Sequence, residues 1–216
     1  MITVIGNLKG GCGKSTVTFN LAIWLARAGV DVVAFDLDPQ ATLSDVAEVR
    51  QEDQVKPNIK VYRPDTDPEK VFREHADGEI LVDVGASNLW AMRQAIRVSH
   101  RILVPVPPSQ ADVWATQRFL TMVDEALAKQ NTRPKIFLFL NRADTHPGLM
   151  ESDETADALK SLPGVEFIPH RLYQRTLYRR SFSEGRAVFE LGPNQKAAEE
   201  IIGLAQFLYP DLPAAS

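Results

Sequence analysis

A single cysteine, Cys12, stands among 216 residues, so no disulfide can form within the chain and a reducing cytoplasm suits it. No apolar run is long enough to cross a bilayer as a helix. Low-complexity tracts and internal repeats are also missing. A formal net charge of -4 leaves no global basic footprint, so any nucleic-acid contact has to come from a local patch. Only Met1 precedes the first apolar run, and from this neither a signal peptide nor an N-terminal helix-turn-helix domain is expected. The rest is ordinary for a globular protein, 44% hydrophobic and 24% charged. The length suits one domain over residues 1–209, with a frayed tail from Pro210 to Ser216.

Against these absences stands Lys9-Gly10-Gly11-Cys12-Gly13-Lys14-Ser15-Thr16, between the apolar run Ile2–Ile5 and a helix beginning near Lys14. Glycines let successive backbone N–H groups curl around an anion with no Cβ in the way. The helix start adds unpaired donors and the positive end of its dipole. Lys14 can then neutralise the β and γ phosphates of a nucleotide, and the Ser15 hydroxyl can complete a Mg²⁺ shell. Cys12 reads as a small filler. The strict phosphate-loop pattern has glycine where Leu8 stands, and a second lysine, Lys9, appears instead.

With that departure the stretch resembles the signature K-G-G-x-G-K-[ST]-T of the ParA/MinD family of deviant Walker A ATPases. The resemblance implies an ATP-dependent homodimer in which Lys9 reaches the partner's nucleotide. It continues at Asp36-Leu37-Asp38-Pro39-Gln40, which closes the apolar run Asp31–Asp36. Carboxylates at the C-terminal end of a buried parallel strand face the ligand crevice of an open sheet. The family pattern implies that Asp38 orients or deprotonates the attacking water and that Asp36 supports the Mg²⁺ shell; capping of the next helix is the alternative for Asp36. Glu79–Gly85 looks like a Walker B strand, in which Asp83 holds Mg²⁺ through a water and the Gly85 amide senses the γ-phosphate.

Helical spacing marks Val17 to Ala28 before the stop at Gly29, Asn88–Val98, Gln110–Lys129, Glu151–Leu162 and Asn194–Leu208. Trp24 reads as packing, and Trp114 as either packing or a subunit contact. Further strands are expected at Arg101–Val106, Lys135–Leu140 and Val165–Ile168. Pro107-Pro108-Ser109 resembles the family segment before its dimer-facing helix. Asn141, at a strand end, resembles a base-recognition position and Pro169 a proline flanking the adenine; a turn-forming asparagine is the alternative. Residues 45–78 say least: a helix around Val46 and Val49, a solvated run Arg50–Lys56, an edge strand Asn58–Tyr62 and a short helix Pro68–His75.

Between His170 and Arg180 lie Arg171, Arg175, Arg179 and Arg180, in a chain that is acidic overall. If helical, Arg171, Arg175 and Arg179 share one face. Solvated surface is the plain reading; the family resemblance implies a patch for non-specific duplex DNA. The alternation of strands and helices predicts a doubly wound, mostly parallel sheet of about seven strands. The whole reads as a ParA-like ATP switch that drives partition of plasmid or chromosomal DNA through a ParB-like adaptor. It would be cytoplasmic, and nucleoid-associated in the ATP state. The alternative is the positioning of a protein cargo, a carboxysome or chemoreceptor cluster. A MinD-like membrane role fits less well, because Glu199–Ser216 is acidic and proline-broken rather than a basic amphipathic helix.

Overall fold

The computed structural model describes residues 1–146, 150–192 and 195–213. The chain begins β1 (Ile2–Ile5), α1 (Lys14–Arg27), β2 (Val32–Asp36), α2 (Thr42–Glu52), β3 (Lys60–Tyr62), α3 (Pro68–Glu74) and β4 (Glu79–Asp83). It continues α4 (Leu89–Val98), β5 (Arg101–Val106), α5 (Gln110–Leu127), β6 (Lys135–Ala143), α6 (Glu151–Lys160), β7 (Glu166–Phe167) and β8 (Leu172–Tyr173). Helix α7 (Thr176–Ser183), a 3-10 turn (Val188–Glu190) and α8 (Lys196–Leu208) complete it. The described strands form one parallel sheet in the order β3-β2-β4-β1-β5-β6-β7, with β8 also on β6.

Strands buried on both faces explain the uninterrupted apolar runs, and their two-residue period feeds two cores. Ile2, Val4, Val33 and Phe35 point to one side, against Met92 of α4, Phe119 of α5 and Ala156 of α6. Ile5, Val32 and Ala34 point to the other, against Leu21 of α1, Leu43 of α2 and Ile201 of α8. Trp24 is fully buried in that second core, as its helical register predicts. Trp114 is not packed into either core and is 53% exposed, and Trp90 on α4 is 74% exposed.

Two expectations are corrected. Arg50 is buried, not solvated: its guanidinium forks onto Glu190 at 2.7 and 2.9 Å and also donates to the carbonyls of Pro57 and Gly185. The sheet's strand number agrees with the expected seven or so: β6 runs on past Leu140 and pairs with β7 through Phe137 and Leu138, then with β8 through Asn141 and Ala143. The arginine-rich stretch is therefore no continuous helix. Leu172 is buried in β8 and Arg175 only precedes α7, so Arg171, Arg175 and Arg179 do not follow one another along a single helix. At the C-terminus, Leu212 N–H donates to the Tyr209 carbonyl and its side chain packs on the core. Asn194, the expected start of the last helix, and residues 214–216 of the expected frayed tail lie outside the described residues.

Candidate nucleotide site

The loops after β1, β2 and β4 meet at the C-terminal end of the sheet. Here α1 leaves toward one face and α4 toward the other, which opens a crevice. The loop Lys9–Gly13 turns directly into α1, with Gly13 as the residue before the helix at φ +91°, a left-handed conformation that favours glycine. Lys14 is buried, and its ammonium curls back to within 3.4 Å of the Lys9 carbonyl and 3.9 Å of Cys12 Sγ. These long contacts leave its charge aimed into the loop. Burial pushes the Cys12 thiol up, above the ordinary thiol range, despite the lowering pull of Lys14. The filler reading suits that inert thiol.

Asp83 ends β4 fully buried, and among the described residues neither of its carboxylate oxygens has a hydrogen-bond partner. Burial is the main reason that its pKa is pushed up to about 7. The Ser15 hydroxyl and Lys14 favour the charged form; Asp36 and Asp38 oppose it. Ser15 thus faces the carboxylate without closing a bond of normal geometry. An orphaned buried carboxylate beside a hydroxyl and a lysine fits a divalent cation, which would supply the missing positive charge. Asp83 and Ser15 are the residues that would hold Mg²⁺, which when bound neutralises phosphate charge.

Asp36 is occupied otherwise. Its Oδ2 accepts from the Ser44 amide at 2.8 Å and the Ser44 hydroxyl at 2.9 Å, and its Oδ1 from the Asp38 amide at 3.2 Å. It caps the first turn of α2, the alternative its sequence position had left open. Asp38 is only partly buried, and its Oδ1 accepts from the Gln40 amide at 3.0 Å. Gly85 faces it closely: a Cβ there would stand 2.7 Å from Asp38 Oδ1.

Lys9 is 43% exposed and pairs at 2.9 Å with Asp112, near the start of α5. Ser109 Oγ donates to the same carboxylate oxygen, and its own oxygen caps the Asp112 amide. Buried Asn7 fixes the loop's entry, donating to the Pro105 carbonyl and accepting from the Lys9 amide. Neither Asn7 nor Asp112 is marked by the sequence motifs. Asp112 had one local signal, its place three residues after the capping serine.

Asn141 reaches the loop itself. Its amide donates to the Cys12 carbonyl at 2.6 Å, and a Cβ on Gly13 would meet Nδ2 at 2.3 Å. A cavity of about 310 Å³ opens beside this contact, lined by Thr16, Asn141, Tyr173, Arg175 and Arg179 among others. Pro169 is exposed and lies off it. Arg171 pairs with Asp153 at 2.7 Å and Arg175 with Glu200 at 2.6 Å. Arg179 and Arg180 are the exposed members, the latter in a helical pair with Glu184. Tyr178 donates to the same Glu200, and burial with that charge drives its pKa far above the usual phenol value.

No helix among the described residues is long and apolar enough to cross a membrane. Residues 3–188 match the family model described as CobQ/CobB/MinD/ParA nucleotide binding domain. The chain is 31% identical over 202 residues to the maintenance of carboxysome distribution protein A of Halothiobacillus neapolitanus, covering 91% of each chain. It is 28% identical to protein ParA of Rhizobium radiobacter, over 85% of this chain and 83% of that one. The fold is that of apo McdA from Cyanothece, with a TM-score of 0.75 at 19% identity over 96% of this chain and 99% of that one. With the phosphate loop, the extra lysine and the family match all in one domain, the chain belongs to the MinD/ParA group of nucleotide-binding proteins.

Proposed function

We propose that the chain is an ATP-hydrolysing switch that dimerises on ATP, binds duplex DNA non-specifically and drives partition of plasmid or chromosomal DNA through a ParB-like adaptor. The observation that carries this reading is Asp83, a buried carboxylate with both oxygens unpartnered beside Ser15 and Lys14. Lys14, Ser15 and the amides of Gly10, Gly11, Cys12, Gly13 and Thr16 hold the triphosphate with its Mg²⁺. Asp38 aligns the attacking water, and the Gly85 amide, pressed against it, senses the γ-phosphate. Lys9 leaves Asp112 to meet the phosphates of a second copy. Trp114 offers apolar surface on the same helix. Asn141 holds the loop next to the base.

DNA contact falls to Arg179 and Arg180, the exposed pair, with Arg171 and Arg175 reduced by their own carboxylates. Two such patches act together in the dimer through effective concentration, which makes binding depend on ATP. The cytoplasmic protein would then sit on the nucleoid only in its ATP state. A second reading, the positioning of a protein cargo by the same switch, is favoured by the 31% identity to the carboxysome distribution protein.

Electrophoretic shift of random-sequence duplex tests the shared core of both readings. Wild type should shift DNA with Mg·ATP and not with ADP. The affinity should fall with salt at a log–log slope of about -0.9 per phosphate neutralised. Arg179→Glu with Arg180→Glu should lose the shift yet still dimerise. No ATP-dependent shift by the wild type at low salt ends the DNA-based reading.

A further inference from the structure

At the opposite end of the sheet from the phosphate loop, the first residues of β4, β5 and β6 and the end of α8 surround a second cavity, of about 660 Å³. Arg101, the first residue of β5, lines it and is 9% exposed. Its guanidinium lies 4.7 Å from the Tyr209 ring centroid and 5.8 Å from that of Phe137. The rings serve its flat faces; they give no acceptor to the N–H groups in its plane. Among the described residues Nη1 has no hydrogen-bond partner, and Nη2 has only the Met1 thioether at 3.9 Å.

The neighbouring carboxylate does not fill that need. Glu79 Oε1 accepts from Thr3 Oγ1 at 2.8 Å and from the Tyr209 hydroxyl at 2.7 Å, and Oε2 lies 3.6 Å from the Met1 amino group. Among the described residues Arg101 makes no ion pair. A buried guanidinium lacking an acceptor is costly, and its fork geometry matches a carboxylate with two parallel hydrogen bonds. The surroundings narrow the ligand further. Asp77, Glu79, Glu166 and Asp211 line the same cavity and outnumber its cations, Arg101, Lys135 and the Met1 amino group, so a multiply charged anion meets net repulsion. Phe207 and Leu212 give it apolar wall. Its volume falls in the range of small-molecule sites, roughly 300–1,000 Å³.

We propose that this cavity is a second ligand site, distinct from the nucleotide site, for a small monocarboxylate with an aryl or alkyl body. The carboxylate sits on the Arg101 fork and the body lies against Phe207 and Leu212.

Titration calorimetry of the full chain with 4-phenylbutyrate, hexanoate, 4-phenylbutyramide and inorganic phosphate tests this. The two carboxylates should bind saturably at one site per chain, undisturbed by saturating Mg·ATP. The neutral amide should bind about tenfold more weakly or worse, because it lacks the charge-assisted pair. Arg101→Met should lose carboxylate binding while still binding ATP. If that variant fails to fold, the comparison of acid with amide on the wild type still decides. The proposal is overturned if neither carboxylate saturates by about 10 mM, where binding is too weak to be a site. It is equally overturned if acid and amide bind alike, if phosphate binds better, if Mg·ATP displaces the acid, or if folded Arg101→Met binds it as the wild type does.

Discussion

The side-chain amide of Asn141 donates to the Cys12 carbonyl at 2.6 Å, which ties the late strand β6 to the phosphate loop. A residue that read the adenine edge would change the choice of base when lost. One that holds the loop would not. Asn141→Ala should therefore weaken Mg·ATP and Mg·GTP by the same factor, about 5–10-fold for one lost hydrogen bond near a charged ligand. Calorimetric titrations with both nucleotides check this; a change in their affinity ratio would restore the base-reading role.

Asp38→Ala should leave ATP binding intact and stop steady-state ADP production, with the ATP-loaded chain eluting as a dimer. Gly85→Ala tests the same point sterically. Its Cβ would crowd Asp38 Oδ1 at 2.7 Å, so turnover should fall roughly tenfold or more without loss of fold. Normal turnover in either variant removes Asp38 from the reaction.

The Lys9–Asp112 pair holds the extra lysine within its own chain. Lys9→Ala should keep monomer nucleotide affinity and lose ATP-dependent dimerisation, whereas Lys14→Ala should lose nucleotide. Asp112→Asn frees Lys9, so the ATP dimer should form at a protein concentration about 2–5-fold lower, the modest scale of a half-exposed pair. Sedimentation at several concentrations distinguishes these outcomes.

Asp83 makes the nucleotide-free protein sensitive to pH. Its folded pKa, pushed up to about 7, exceeds the usual carboxyl value. The folded state thus binds the proton more tightly than the unfolded chain does, and stability falls as pH rises toward and through 7. Asp83→Asn should flatten that slope and raise the melting temperature at pH 8, by roughly 2–4 °C for each kcal/mol regained. Saturating Mg·ATP should flatten it in the wild type. A wild-type slope unchanged by either would show that another group titrates.

What the sequence made legible was what it encodes locally. Parallel strands buried on both faces appear as unbroken apolar runs, so β1, β2, β4 and β5 could be read almost to the residue. Glycine spacing did the same for the phosphate loop. Contacts made at a distance could not be read. Arg50 looked solvated because its partner Glu190 comes only at the far end of the chain, and the pairing of Lys9 with Asp112 was hidden because Asp112 lies beyond four strands. β8 was hidden because two residues among arginines carry no periodicity, and only the unpaired flank of β6 makes them a strand. Asp36 and Asp38 show the intermediate case: their motif is local, but which one caps α2 depends on where Ser44 lands.

The placement of β1 in mid-sheet has a consequence for synthesis. Thr3 is paired with Leu81 on one side and Arg101 on the other, so β1 has no neighbour until more than a third of the chain is made, and its second only near the halfway point. At translation speeds of about 5–20 residues per second, the wait for that first neighbour is on the order of 4–16 s. Throughout it, an apolar strand and its glycine loop are held only by local structure, while the carboxylate and the asparagine that complete the pocket are still unmade or emerging. Nucleotide therefore cannot act as a template for the nascent chain. It can stabilise only a nearly finished domain, and the vulnerable period falls before it can help.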